Sequence, residues 1–484
     1  MTLADLLDSA LVQPGFDAID VTDITLDSRK AAPGWVFAAL PGVKVHGRQF
    51  AASAVERGAV AVISDAPIDG IDVPVIVVEN PAELFAFMAA KVYPGQPQHV
   101  VAVTGTNGKS STVEFLRQIW VKAGIDGASL GTLGVTRGHD REVTGYTTPD
   151  AAALQKALSA LAREGVTHLA MEASSHGLKQ RRMEAVEIQI AGFSNLTQDH
   201  LDYHPDFEDY FRSKQRLFTE RLPVGGTAVV NIDGEWGVKI AESTRARGAK
   251  VLTIGWRGED LQLLEVVPRP ASQSVAFNWA GDTIRIEMPL VGEFQVLNAI
   301  LAAAIAFEEG LYRDTVIEAL ESLEGVAGRL DKVGETAQGA PVLVDYAHTP
   351  DGLDKLIRAV RPHTRGRIVI VFGCGGDRDP DKRSKMGAIA DQLADLVIVT
   401  DDNPRSEDPA DIRRAVMAGC PGATEIADRE AAIFHGVEQL REGDCLLIAG
   451  KGHETGQTVG DVVHPFDDRE VGARALKARE ASHV

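Results

Sequence analysis

The stretch Val100-Val-Ala-Val-Thr-Gly-Thr-Asn-Gly-Lys-Ser-Ser-Thr112 decides the fold. Val100 to Val103 form an apolar run of buried-strand type. The run breaks at Gly105, turns through polar residues to Gly108, and resumes at helical spacing in Val113, Leu116, Ile119 and Trp120. A strand, a glycine turn and a helix present backbone N–H groups and the positive helix end to phosphate. Lys109 then reaches the outer phosphates as a point charge, and the Ser110 hydroxyl is placed to ligate an accompanying Mg²⁺. Only Thr106 and Asn107 separate Gly105 from Gly108, where the common phosphate loop has about four residues, so the loop is tight and implies a distinct ATPase family. The competing reading is a glycine-rich turn with an incidental lysine.

At 484 residues the chain exceeds what one core covers. Its net charge of −20, from 49 Lys and Arg against 69 Asp and Glu, argues against a nucleic-acid surface but leaves room for a local basic site. Cys374, Cys420 and Cys445 have no paired spacing and no Cys/His cluster, as expected in a reducing compartment without structural zinc. The first residues carry acids in place of a basic leader, and no apolar run approaches the roughly 20 residues that span a bilayer. A cytoplasmic protein without membrane insertion is expected.

Residues 1–98 read as a small α/β domain, with Val60-Ala-Val-Ile63 and Val75-Ile-Val-Val78 as short buried strands. Asp27-Ser28-Arg29 and His46-Gly47-Arg48 put hydrogen-bond donors on its loops, suited to a phosphate or a uracil edge and equally to solvation. Residues 99–325 alternate strand and helix as a parallel sheet requires. Two apolar runs there end in polar islands, Leu169-Ala-Met171 in Glu172-Ala-Ser-Ser-His and Ile190-Ala-Gly-Phe193 in Ser194-Asn-Leu-Thr-Gln-Asp-His200. Ligand groups of open α/β sheets sit at such carboxyl strand ends. Taken singly, Glu172 also reads as a helix-start cap and His200 as a surface histidine. Phe207 to Leu222 reads as a helix with Lys214 inside it, and Val296 to Phe307 as an Ala-rich helix carrying Asn298.

Residues 326–484 alternate again. Val342-Leu-Val344, Ile368-Val-Ile-Val-Phe372, Leu396-Val-Ile-Val399 and Leu446-Leu-Ile448 each run into charge, at Asp345, Gly373 to Arg378, Thr400 to Arg405 and Ala449 to Glu454. Four consecutive charged strand ends imply one site on a sheet edge. The expected architecture is α/β in three domains: a small N-terminal domain, a central P-loop-type parallel sheet with helices, and a C-terminal Rossmann-like domain.

Together these islands resemble the Mur ligase family of ATP-dependent amide-bond synthetases over essentially the whole chain. Thr104-Gly-Thr-Asn-Gly-Lys-Ser-Ser111 looks like the family's ATP loop, with serines where Thr is frequent. The resemblance implies Mg²⁺ held by Ser110, Glu172 and His200, and a CO₂-derived carbamate on Lys214 that would serve a second ion. It further implies that Asn298, Arg329 and Asp345 join Gly105, Thr106, Asn107, Gly108, Lys109, Ser110 and Ser111 on ATP. Ser28, His46, Gly47, Arg48, Thr147, Thr148, Ser174, Gln180 and Arg182 match residues for a UDP-linked muramoyl dipeptide, UDP-MurNAc-L-Ala-D-Glu. Asp402-Asn-Pro-Arg405 matches the signature of diaminopimelate-adding members, with Arg378, Gly450 and Glu454 completing that pocket.

On this resemblance Lys109, Glu172, His200 and Lys214 are the catalytic set, acting through an acyl phosphate on the D-Glu carboxylate. The chain is expected to work as a monomer on ATP, the dipeptide and meso-diaminopimelate, in cytoplasmic peptidoglycan precursor synthesis. meso-Diaminopimelate carries a distal carboxylate that lysine lacks, and the Arg405 guanidinium is the group that would fork onto it. The alternatives are a lysine-adding member, a folylpolyglutamate synthetase-like ligase, and a non-catalytic nucleotide switch.

Overall fold

Short apolar runs bounded by Asp, Pro and Gly become a four-stranded parallel sheet: β1 (Asp23–Thr25), β2 (Trp35–Ala38), β3 (Ala59–Ser64) and β4 (Val75–Val77), in that order. The helix Pro81–Val92 covers it, starting on a proline whose missing N–H costs nothing at that position, and buries Phe85, Ala86 and Met88 against Ile24, Val36 and Ile63. The computed structural model describes residues 1–42, 45–138, 140–142, 147–197 and 203–482. Its two compact units are Met1–Ile254 with Ala304–Leu311, and Gly255–Ala303 with Tyr312–Val484.

In the first unit a larger sheet follows, built from β5 (His99–Thr104), β6 (Gly127–Gly131), β7 (Gly134–Arg137), β8 (Asp140–Glu142), β9 (His168–Glu172), β10 (Ile190–Phe193), β11 (Thr227–Asn231) and β12 (Lys250–Gly255). Their order is β12-β11-β10-β5-β9-β6-β7-β8, parallel up to β6 and antiparallel in the last two. Val100 and Ala102 face a core with Leu154, Leu158 and Met171, while Val103 turns to the other side, where Ile305 also lies. Burial on both faces is why β5 reads as a continuous apolar run instead of an alternating one. Its neighbours β9 and β10 pair Val103 with Glu172 and Thr104 with Phe193, so both polar islands flank the glycine loop.

At the opposite end of this sheet lies a half-buried titratable cluster. Trp120 Nε1 donates to Glu309 Oε2 at 2.7 Å, and burial pushes that carboxyl from 4.5 up to about 7. His168 stacks on His99 with centroids 4.4 Å apart and meets the edge of Trp120. Burial, reinforced by His99, drives His168 from 6.5 down to about 4. Glu309 keeps its proton longer folded than unfolded, so its stabilisation is full below pH 4.5 and lost by about pH 7. His168 has the reverse sign, with stability gained as pH climbs from about 4 to 6.5. The two slopes oppose each other across one window. Glu309→Gln is therefore expected to remove the falling slope, so that stability rises more steeply from about pH 4 to 6.5 than in the parent, read as the urea midpoint against pH.

The second unit begins with a meander of β13 (Leu261–Pro268), β14 (Gln273–Trp279) and β15 (Asp282–Met288). In the sequence only Gly281 to Gly292 reads as a turn-bounded strand region, and it covers β15 alone. Inward and outward residues alternate along these strands, so no apolar run announces them. The C-terminal sheet holds β16 (Asp331–Glu335), β17 (Pro341–Asp345), β18 (Ile368–Phe372), β19 (Leu396–Val399), β20 (Thr424–Glu425) and β21 (Cys445–Ala449) in the order β16-β17-β21-β18-β19-β20. All but β16 run parallel, which makes the ends of β17, β21, β18 and β19 adjacent. A two-stranded hairpin, β22 (Gly456–Val459) and β23 (Val462–Pro465), follows. Among the described residues no helix is long and apolar enough to cross a membrane.

Candidate active site

Gly105 leaves β5 with φ +151°, and a Cβ on it would lie 2.0 Å from Ser194 Oγ, so only glycine lets the loop pass. The helix Lys109–Lys122 starts directly after Gly108, and its first-turn N–H groups have no partner within the helix itself. Thr106 N and Asn107 N instead donate to Asn195, to its O at 2.9 Å and its Oδ1 at 3.0 Å, bracing the loop on the end of β10. Thr106 Oγ1 and Tyr210 OH are 3.0 Å apart.

Lys109 Nζ donates to the carbonyls of Gly105 at 3.0 Å and Thr106 at 2.9 Å. Lys214, buried on the helix Phe207–Arg216, donates to that same Gly105 carbonyl at 2.7 Å, with its Nζ 4.6 Å from the centre of the Tyr210 ring. Two ammonium groups meeting at one carbonyl give the loop a preorganised demand for an anion. These Lys214 contacts suit a cation.

Ser110 Oγ donates to Glu172 Oε1 at 2.9 Å, and Thr132 reaches the same carboxylate through its N–H at 2.8 Å and its hydroxyl at 3.3 Å. Glu172 is buried, and a Cβ on Gly131 would strike it at 2.1 Å, so the glycine makes room for the acid. Among the described residues no group of three or more His, Cys, Asp or Glu is placed to hold a metal. One carboxylate and one hydroxyl, completed by phosphate and water, is nevertheless the hard-oxygen set Mg²⁺ uses. Ser110 and Glu172 fit it. His200 lies outside the described residues.

Around Glu172 the structure gathers five of the nine residues expected on the dipeptide. Thr147 and Thr132 hydroxyls are 2.9 Å apart, and Thr148 Oγ1 donates to the Glu172 carbonyl at 2.8 Å and accepts from Ser174 N at 3.1 Å. Arg182 donates to Thr148 O at 2.5 Å and to Gln180 Oε1 at 2.6 Å, and Gln180 Nε2 to Tyr203 OH at 3.0 Å. The other four sit on the N-terminal sheet's loops. His46 and Arg48 face Asp65 at 3.1 and 3.6 Å, Gly47 N donates to Leu40 O at 2.9 Å, and Ser28 lies in the turn where Arg29 forks onto Asp27. The Arg29 guanidinium holds the Asp27 carboxyl below the usual aspartate value.

In the second unit Asn298, Arg329 and Asp345 are linked. Asn298 Nδ2 donates to Gln295 Oε1 at 3.0 Å, Gln295 Nε2 donates to Arg329 O at 2.9 Å, and Asp345 accepts from Leu330 N and Ala347 N at 2.8 Å each. Burial pushes the Asp345 carboxyl above its ordinary value, with Arg329 opposing.

The loop after β19 is bound tightly. Asp402, Asn403 and Pro404 are buried, and Asp402 Oδ1 accepts from Asn403 N at 2.7 Å. Gln457 Nε2 donates to Asp402 O at 2.7 Å. Arg405 takes φ +52°, its N–H donates to Thr458 O at 3.1 Å, and its Nη1 to Gly376 O at 2.7 Å. Left-handed conformations in non-glycine residues gather where surrounding contacts over-determine them, and Leu330 and Asp377 share this one. Arg378 is exposed at the rim of the same edge, which Gly450 and Glu454 enter from β21.

Sequence reasoning missed Thr132, Asn195, Tyr210, Gln295, Lys451 and the buried pair Arg429 and Asp468. Asn195 and Lys451 lie inside islands that it quoted, so strand adjacency is the signal that would have singled them out. Cys374 packs its thiol on Met386 Sδ at 3.7 Å, and burial pushes it up to about 12, which excludes it as a nucleophile at neutral pH.

Three family descriptions match the chain: the Mur ligase family catalytic domain over residues 20–93, the Mur ligase middle domain over 103–306, and the Mur ligase glutamate ligase domain over 328–452. The chain is 48% identical, over 99% of its length and 100% of the relative's, to UDP-N-acetylmuramoyl-L-alanyl-D-glutamate–2,6-diaminopimelate ligase of Bradyrhizobium diazoefficiens. It is 49% identical to the protein of that name in Agrobacterium fabrum, over 96% and 95%. A solved structure of a ligase of that name superposes with TM-score 0.73 at 32% identity, covering 99% of both chains. The MurF ligase of Thermotoga maritima in complex with ADP shares the fold, with TM-score 0.62 at 19% identity over 95% of this chain and 99% of that one.

Proposed function

The chain belongs to the Mur ligase family, and from that premise we propose that it joins meso-diaminopimelate to the D-Glu side-chain carboxylate of UDP-N-acetylmuramoyl-L-alanyl-D-glutamate. It is an ATP-dependent ligase. The γ-phosphoryl of ATP passes to that carboxylate, the amine of diaminopimelate attacks the resulting acyl phosphate, and phosphate leaves. Lys109 offsets charge between two anions brought into contact, and the other loop residues hold the triphosphate in line. Mg²⁺, when held by Ser110 and Glu172, neutralises further phosphate charge. Thr147, Thr148, Ser174, Gln180 and Arg182 fix the dipeptide beside Glu172, with Ser28, His46, Gly47 and Arg48 on its UDP end.

By the family resemblance Asn298, Arg329 and Asp345 are nucleotide-binding residues. The Asp402–Arg405 loop, Arg378, Gly450 and Glu454 take the amino acid. A CO₂-derived carbamate on Lys214 would supply an anionic oxygen for a second Mg²⁺ near the dipeptide carboxylate. The place of action is the cytoplasm, and the working form a monomer.

The observation that supports this reading is the hydrogen bond from Ser110 to Glu172 at the head of the glycine loop, a hydroxyl and a carboxylate of the kind Mg²⁺ takes. The test is phosphate release from ATP that requires both the UDP-linked dipeptide and meso-diaminopimelate. Release without the dipeptide would overturn it, and equal use of lysine would return the lysine-adding alternative. Arg405→Ala is expected to raise KM for meso-diaminopimelate about 10- to 100-fold with a smaller change in kcat, the loss of a charge-assisted fork worth about 1.5–3 kcal/mol. Steady-state kinetics with the amino acid varied checks it.

A further inference from the structure

Lys451 follows β21 and is fully buried. Its Nζ has three acceptors: Asn403 Oδ1 at 3.1 Å, Glu454 Oε2 at 3.2 Å and Gly456 O at 2.6 Å. An ammonium offers three N–H bonds and accepts none, so these three fill it. The Asn403 amide has only one possible orientation beside it. Thr458 N–H can only donate, and it does so to Asn403 Oδ1 at 2.9 Å, which turns Asn403 Nδ2 onto Glu454 Oε2 at 2.9 Å. Both donors to Glu454 therefore fall on the same oxygen. Among the described residues Glu454 Oε1 has no donor, and Glu454 is only half-buried, so that oxygen keeps its accepting capacity unspent.

We propose that Lys451 is a positioning residue of the amino-acid pocket, whose ammonium fixes Glu454 Oε2 so that Oε1 is presented to an ammonium group of the incoming amino acid. This rests on the reading of Glu454 as an amino-acid contact. Replacing Lys451 by an apolar side chain of similar length frees the carboxylate to rotate, and the acceptor is no longer set in advance. Arginine would not substitute, because its planar fork cannot point three donors at acceptors spread around one nitrogen.

Lys451→Met, Glu454→Gln and the double variant, each in the full-length enzyme with ATP and dipeptide saturating, provide the test. Lys451→Met is expected to raise KM for meso-diaminopimelate about tenfold, with KM for ATP within about twofold of the parent enzyme. Because Lys451 acts through Glu454, the double variant should show the KM of Glu454→Gln alone. The double variant buries no unpaired charge, so this comparison stands even if Lys451→Met by itself fails to fold. A double variant whose KM exceeds that of Glu454→Gln by a further tenfold or so overturns the inference. So does a Lys451→Met enzyme with unchanged KM and only a smaller active fraction, which is what a purely structural strut would give. If Glu454→Gln leaves KM unchanged, the amino-acid-contact reading itself has failed, on a separate readout.

Discussion

Lys109→Met is expected to reduce turnover by about 10²- to 10³-fold while leaving the protein folded, since a preorganised charge at a developing anion contributes roughly 3–4 kcal/mol. The lysine sits on the first residue of a helix, is partly exposed, and donates to the carbonyls of Gly105 and Thr106. Methionine keeps the stem and removes the charge. The Gly105 carbonyl retains Lys214 as its donor, so loop shape survives and the deficit falls on chemistry. Phosphate release under saturating substrates measures the effect, with far-ultraviolet circular dichroism confirming the fold. A variant that kept a tenth of the parent rate would remove Lys109 from the catalytic set. Arginine is not expected to rescue it, because its fork is shaped for two oxygens in a plane and the loop approaches from one side.

Breaking the ion pair of Arg429 and Asp468 is expected to have the largest effect on stability. Neither side chain touches solvent, and the Nε and Nη2 edge of the guanidinium engages both carboxylate oxygens, each at 2.7 Å. Arg429 also donates to Ala449 O at 3.0 Å and Asp401 O at 3.4 Å, tying together the two strand ends from which the amino-acid loops leave. Arg429→Met leaves a buried carboxylate alone, at a cost of about 3–5 kcal/mol, whereas Arg429→Met with Asp468→Leu removes both charges and should recover most of that loss. Urea denaturation of the three proteins separates the outcomes. A single variant as stable as the parent would mean water reaches the site and the pair is not dry.

How legible the molecule was in its sequence depended on burial. The strands of both parallel sheets, from Val100 to Val103 and from Ile368 to Phe372, are covered on two faces and stood out as apolar runs. The meander Leu261 to Met288 has one wet face and was largely invisible. Glu172 and Asp345 were found because acids at the ends of apolar runs are rare without a purpose. Lys451 and Asn195 were passed over because their importance lies in which neighbouring strand end they touch, and adjacency such as β17 beside β21 is a property of topology. The expected Phe207 to Leu222 helix was right in extent, but its last turn, Leu217–Arg221, widens into a π-helix that spacing does not foretell.

The Gly105 carbonyl, shared by two ammonium groups, sits in a molecule of net charge −20. Substrates rich in phosphate and carboxylate are repelled at long range and attracted only once close. Added electrolyte damps the distant repulsion over a Debye length of about 8 Å at physiological strength, yet hardly weakens contacts made inside the loop. Capture should thus quicken, not slow, as the medium grows saltier, and a crowded, potassium-rich interior would be a favourable place for it.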